Sequence, residues 1–147
     1  MSSKEHGPLA QKLLDPATFP QVLEDSKALV GAEIEKKNIA PRTAFNMVRR
    51  AKPDLIDRAM RALLPEFIEA LEPFYAEARA EPDVHFRDHL IARDDEAASA
   101  LLTVSDRRVK DVETKVIQSG YQKLRGRAHK EVVAAMPGIA SVMSKYA

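Results

Sequence analysis

The chain is expected to fold as an all-α, single-domain bundle of about seven to nine mostly short helices. Apolar side chains recur every three or four positions through most of the sequence, which is the period of an amphipathic helix. Pro41, Pro53 and Pro65 lie about one short helix apart, and proline is well tolerated in the first helical turn. No segment alternates convincingly with the period of two that a half-buried strand shows. These observations predict helices with proline-marked starts and no sheet.

A flexible N-terminal arm is expected over residues 1–16, with one short helical turn near residues 9–14. Residues 17–147 are expected to form the single helical domain. Thr18 is suited to cap a long helix that runs to Lys37, because its hydroxyl can accept an otherwise unpaired backbone N–H. The buried stripe predicted for that helix contains one serine among apolar residues: Val22, Leu23, Ser26, Leu29, Val30 and Ile34.

Three helices are predicted in the central stretch, over residues 41–51, 53–63 and 65–80. Each of these helices is predicted to begin at a proline. The residue before a proline disfavours helical geometry, so a break between helices is expected before each of the three prolines. Pro73 lies inside the third helix and should bend or break it.

In the second half of the chain, the pattern predicts a helix over residues 84–93. A second helix is predicted to begin at the acids from Asp94 onward, because acidic side chains are favourable at a helix N-terminus. A further helix is expected to end near Gly126. Another follows with Val132 and Met136, and Pro137 opens the last helix.

Composition limits the class of protein. The chain has 147 residues, 45% of them hydrophobic, and no cysteine, which excludes disulfides, thiolate metal sites and cysteine nucleophiles. No apolar run approaches the length that spans a bilayer, and the first residues lack the apolar core of a secretory signal. We therefore expect a soluble cytoplasmic protein without a membrane partner. No phosphate-binding loop, nucleophile elbow or paired-carboxylate motif occurs, so no catalytic residue and no cofactor is assigned.

The charges are segregated although the net charge is only +1. Residues 36–52 carry six basic residues and no acid, residues 53–106 carry thirteen acids against five arginines, and residues 107–147 are basic again. Such blocks can neutralise one another within the fold, or one can meet a partner. The leading interpretation is a non-enzymatic protein that acts by macromolecular interaction, either as a homo-oligomer or with an acidic macromolecule.

An alternative interpretation is nucleic-acid binding through a helix-turn-helix-like segment at residues 34–51. In this hypothesis Ala44 and Met47 face inward, and a basic face binds the nucleic acid. Arginine and asparagine are suited to guanine and adenine edges, and lysines to phosphates. The candidate residues are Arg42, Asn46, Arg49, Arg50 and Lys52.

A second alternative is a metal or small-molecule site near His85 and His89. These two histidines are four positions apart on a predicted helix, so both imidazoles can lie on one face, with Asp88 beside them. The pattern partly matches a zinc-protease motif, but aspartate stands where that motif has glutamate. No further ligand-bearing helix is evident.

Three segments resemble a family of uncharacterised bacterial helical proteins of similar length. They are LLPEFIEALEPFY at 63–75, LLTVSDRR at 101–108 and KLRGRAHKEVVAAMP at 123–137. The resemblance covers most of the chain after about Leu13. It implies a bacterial origin and a shared helical fold, and it carries no activity, ligand or catalytic residue.

Overall fold

The computed structural model describes residues 7–36, 39–111 and 115–147, and over these residues it contains eight helices and no strand. The all-α prediction is therefore confirmed. In chain order the helices are α1 Pro8–Leu13, α2 Phe19–Glu35, α3 Ile39–Ala51, α4 Leu55–Ala70, α5 Glu72–Arg79, α6 Phe86–Ala92, α7 Asp94–Lys110 and α8 Lys115–Tyr146.

The long helix α8 packs against α7, α6 and α2. Helix α4 packs against α7, α2 and α1, so α2 and α7 each contact both α4 and α8. The apolar stripes of these helices meet in one core because each helix can remove its stripe from water only against a neighbour. The largest fully buried side chains include Leu9, Leu13, Leu23, Ile68, Leu71, Leu90 and Met136.

The N-terminal helix α1 lies within the expected arm, where one short helical turn was predicted near residues 9–14. Leu9, Ala10 and Leu13 are fully buried and belong to the main core. Both oxygens of Glu72 accept hydrogen bonds at the start of α1, from the N–H of Leu9 at 3.1 Å and from the N–H of Ala10 at 2.7 Å. Packing and the carboxylate together hold this helix on α4 and α5. Residues 1–6 of the expected arm lie outside the described residues.

Two prolines that were predicted to begin helices lie inside them instead. Pro65 is within α4, and Pro137 is within α8, which also continues through Gly126. An interior proline costs about 3 kcal/mol. Burial of Leu64 and Ile68 beside Pro65 contributes about 1.5–3 kcal/mol per side chain, which is enough to offset that cost.

The break predicted at Pro73 is observed. Helix α4 ends at Ala70, Leu71 lies between the helices, and α5 begins at Glu72 with Pro73 in its first turn. Pro73 is exposed and Leu71 is fully buried, so the chain turns while its apolar side chain stays in the core. A helix start is a position where the missing N–H of proline leaves no hydrogen bond unmade.

Candidate functional site

A cavity of about 240 Å³ lies between α2, α4, α7 and α8. Among the residues that the structure describes, its wall is hydrocarbon and thioether apart from two serines, and none of these lining residues is charged. The lining includes Ser26 and Leu29 from α2, Phe67 from α4, Leu102 and Ser105 from α7, and Val142 from α8. We call this space the α2–α8 cavity.

The α2–α8 cavity arises where four apolar stripes approach one another without filling the space between them. Small side chains stand at positions where a leucine would project into it, namely Ser26 and Ser105. Gly138 brings α8 close to α2, because a Cβ built there would lie 2.5 Å from Leu29 Cδ1. Leu29 therefore rests on the glycine surface of α8 at one wall of the cavity.

Ser26 is a buried polar residue beside this wall, and its hydroxyl oxygen is almost fully covered by neighbouring atoms. The residue is only 5% exposed, and its Oγ has no hydrogen-bond partner among the residues that the structure describes. A buried hydroxyl without a partner costs about 1–3 kcal/mol. The sequence placed Ser26 on a buried stripe, but nothing in the sequence indicated that the stripe would border an open space.

A polar cluster holds α7 against α8 beside Ser105. Asp106 Oδ1 accepts hydrogen bonds from the Tyr121 hydroxyl at 2.6 Å and from Arg125 Nε at 2.9 Å. The hydrogen bonds from Arg125 and then Tyr121 lower the pKa of the Asp106 carboxyl. Burial, together with the hydrogen bond to Asp106, raises the pKa of Tyr121 to about 12. At neutral pH this cluster consists of a carboxylate, a protonated phenol and a guanidinium. Its hydrogen bonds connect α7 to α8.

The candidate metal residues do not form a ligand set. His85 is not on a helix but precedes α6 in extended geometry and is exposed, which corrects the predicted pair on one helical face. His89 Nε2 lies 2.8 Å from Glu77 Oε1, which also accepts from Arg93 Nη1 at 2.8 Å. Asp88 is exposed, at the start of α6. Across 7–36, 39–111 and 115–147, no group of three or more histidine, aspartate or glutamate side chains is arranged to hold a metal.

The candidate nucleic-acid residues lie along α3 and just beyond it. Arg42 and Asn46 are half-buried, while Arg49, Arg50 and Lys52 are exposed. Arg49 Nη2 donates to Asn46 Oδ1 at 3.2 Å, so these two side chains form one surface unit.

Met47 was predicted to face inward and is instead 63% exposed. It shares a helical stripe with Thr43 and Arg50, which are also exposed. The side chain of Ala44, the other residue predicted to face inward, lies outside the described residues.

The acids of residues 53–106 have described partners in several helices other than α3. Asp57 pairs with Lys27 of α2 at 3.0 Å. Asp95 lies 2.6 Å from His129 Nε2, and Asp106 pairs with Arg125, both on α8. Glu77 and Glu96 pair with Arg93. Helices α2 and α8 therefore each supply a cation that this acidic segment contacts, Lys27 and Arg125.

The architecture defines the protein as an eight-helix bundle, over its described residues, with an apolar cavity between four of its helices. The chain belongs to a family of unknown function, DUF6918, whose model matches residues 9–147. Comparisons with curated proteins and with solved structures give no match. Within the part of the chain that the structure describes, none of the helices combines the length and the apolar character needed to cross a membrane.

Proposed function

We propose that this protein is a binding protein that holds a small apolar molecule in the α2–α8 cavity. The observation that carries the proposal is a partly open space of about 240 Å³ between four helices, whose described lining residues carry no charge. Ligand sites in helical bundles are built between facing helices and are mostly apolar. An apolar cavity of about 150 Å³ is already large enough to bind benzene.

The expected affinity follows from the apolar surface that such a ligand would bury. Burial contributes about 0.8 kcal/mol per methylene, so a chain of about eight carbons gains roughly 6 kcal/mol before losses. That free energy corresponds to a dissociation constant of some tens of micromolar, and ordering of the chain weakens it further. Binding is therefore expected in a range that calorimetry measures.

The test is titration of 1-octanol into the protein by isothermal titration calorimetry. Saturable binding of one molecule per chain and a raised melting temperature are expected, because a ligand of the native state stabilises it. The double variant Leu102→Phe/Val142→Phe replaces two aliphatic side chains of the lining by larger aromatic rings. These rings fill part of the cavity and should weaken binding at least tenfold.

A matched control changes the neighbouring exposed positions, Thr103→Phe/Ser141→Phe, and should bind as the unaltered protein does. Circular dichroism checks that both variants keep their helices. Absence of saturable binding to the unaltered protein contradicts the proposal. Equal binding by the cavity-filled variant and the control also contradicts it.

A second candidate is nucleic-acid binding through the basic face of α3. The observation that favours it is that the acids of residues 53–106 have described partners on α2, α7 and α8 and among the arginines of their own segment. Just three positions separate α2 from α3, which is the spacing of a helix-turn-helix. Arg42 and Arg50 stand eight positions apart on α3, so they extend over about two turns.

An electrophoretic titration of duplex DNA at two salt concentrations tests this candidate. The variant Arg42→Ala/Arg50→Ala should bind more weakly and show a shallower salt dependence, by about 0.9 for each phosphate that the arginines no longer neutralise. Arg58→Ala/Arg87→Ala removes the same charge from exposed positions elsewhere and serves as the control. No shifted band at the lower salt concentration would exclude the candidate.

The interpretation from the sequence, that the protein acts as a homo-oligomer or with an acidic macromolecule, stays a prediction.

A further inference from the structure

We infer that the exposed face of α8 docks on the phosphate backbone of a double-stranded nucleic acid, through a row of cations that reads no base sequence. The row consists of Lys115, Lys123, Arg127 and Lys130, and we call it the α8 basic stripe. It is a different surface from the α2–α8 cavity and from α3, so the inference goes beyond the proposed function and does not rest on it.

Some cations of α8 are paired within the fold and others are not. Arg125 contacts Asp106, and His129 contacts Asp95, so these two cations hold α8 to α7. All four cations of the α8 basic stripe are exposed, and none is paired with an acid among the residues that the structure describes. The one acid of α8, Glu131, is half-buried. The stripe therefore presents positive charge to solvent.

The α8 basic stripe is straight and of useful length. Successive residues of a helix are turned by about 100°, so its four cations lie within about a third of the circumference. From Lys115 to Lys130 the helix rises by about 22 Å, which is the length of roughly six base pairs of a duplex. Ser119 and Gln122 are exposed on the same face and supply uncharged hydrogen-bond donors for phosphate oxygens.

The composition of this face favours phosphates over a protein or a membrane. The exposed large apolar residues that the structure describes, Met47, Leu55 and Val84, all lie outside α8. A protein interface needs apolar or aromatic anchors, and a helix that lies on a membrane inserts an apolar face. A phosphate backbone requires only cations and hydrogen-bond donors, because the release of its counterions supplies the affinity.

Gly126 is a second observation that points to a ligand on this face. It is exposed and lies between Lys123 and Arg127 in the sequence. A Cβ built there meets no neighbouring side chain within 4 Å, so packing of the fold does not require a glycine. Glycine is unfavourable inside a helix, but its lack of a side chain lets a ligand approach the helix backbone closely. A row of phosphates between the two flanking cations would use that approach.

The test measures binding of a fluorescent DNA duplex of about 20 base pairs by anisotropy, at several salt concentrations between about 50 and 200 mM. Lys123→Ala/Arg127→Ala should weaken binding about tenfold and reduce the salt slope by about 0.9 for each phosphate contact that is lost. Arg58→Ala/Arg87→Ala removes the same charge from exposed positions elsewhere and should change affinity less than twofold. Circular dichroism checks that both variants keep their helices.

Two further measurements test how the stripe binds. Two duplexes of unrelated sequence should bind equally within about twofold, because backbone contacts carry no sequence information. Gly126→Leu removes no charge, so it should weaken binding about threefold at an unchanged salt slope. Its melting temperature should not fall, because leucine favours the helix more than glycine does.

Several results would overturn the inference. One is the absence of binding at the lowest salt concentration, and another is an equal loss in the stripe variant and in Arg58→Ala/Arg87→Ala. A loss confined to Arg42→Ala/Arg50→Ala would place the nucleic acid on α3 instead. Unchanged binding by Gly126→Leu would show that phosphates do not approach this face. Binding to vesicles of anionic phospholipid but not to the duplex would assign the stripe to a membrane surface.

Discussion

Replacing Leu13 by alanine is expected to lower the free energy of unfolding by about 2–5 kcal/mol. Leu13 lies on α1 and is 0% exposed, so truncation removes its buried methyl groups and leaves a cavity in the core. The measurement is urea denaturation followed by circular dichroism at 222 nm, a standard helix signal, with the midpoint compared at constant slope. A loss of this size is a large fraction of the stability of a typical domain.

The same experiment decides whether α1 belongs to the domain. Gln21→Ala, an exposed substitution on α2, serves as the control and should change stability by less than about 0.5 kcal/mol. If Leu13→Ala behaves like Gln21→Ala, then α1 is detached in solution. The flexible arm predicted from the sequence would in that case be correct.

Replacing Glu72 by alanine is expected to cost about 1.5–3 kcal/mol, the range for hydrogen bonds to charged groups. Its two carboxylate oxygens accept from the N–H groups of Leu9 and Ala10, so the substitution leaves two amides of the first turn of α1 without that acceptor. The carboxylate also interacts favourably with the positive end of α1. Glu81→Ala, which alters an exposed acid after α5, is the control and should be nearly neutral.

Gly7 provides an independent route to the same interaction. A Cβ at Gly7 would lie 2.5 Å from Glu72 Cδ and 2.6 Å from Oε2, so Gly7→Ala should displace the carboxylate. The effects of Gly7→Ala and Glu72→Ala should therefore be less than additive when the substitutions are combined. Full additivity would show that Glu72 does not anchor α1 through this contact.

Helix prediction from the sequence succeeds where the information is local. The stripe of α2 was predicted residue by residue, and Val22, Leu23 and Ser26 are its buried members. It fails where residues distant in sequence decide whether a helix continues, as at Pro65 and Pro137. A proline removes one hydrogen bond wherever it lies, but whether the helix continues depends on how much apolar surface its flanking residues bury.

The candidate sites show the same division. Met47 and His85 were assigned to helical faces from spacing alone, and the structure places Met47 towards solvent and His85 before the first turn of α6. A spacing of four residues indicates a shared face only if both residues lie within one helix. No local pattern distinguishes the end of a helix from its interior well enough to decide this.

The amino-acid pattern alone established an all-helical chain without disulfides and with segregated charges, because helical spacing and composition are properties of short stretches. Tertiary structure decided where the helices end, that α1 joins the core, and that an apolar cavity lies between α2, α4, α7 and α8. The physical reason is that a cavity depends on the distances between stripes that are far apart in sequence. Those distances follow from how all the helices pack together.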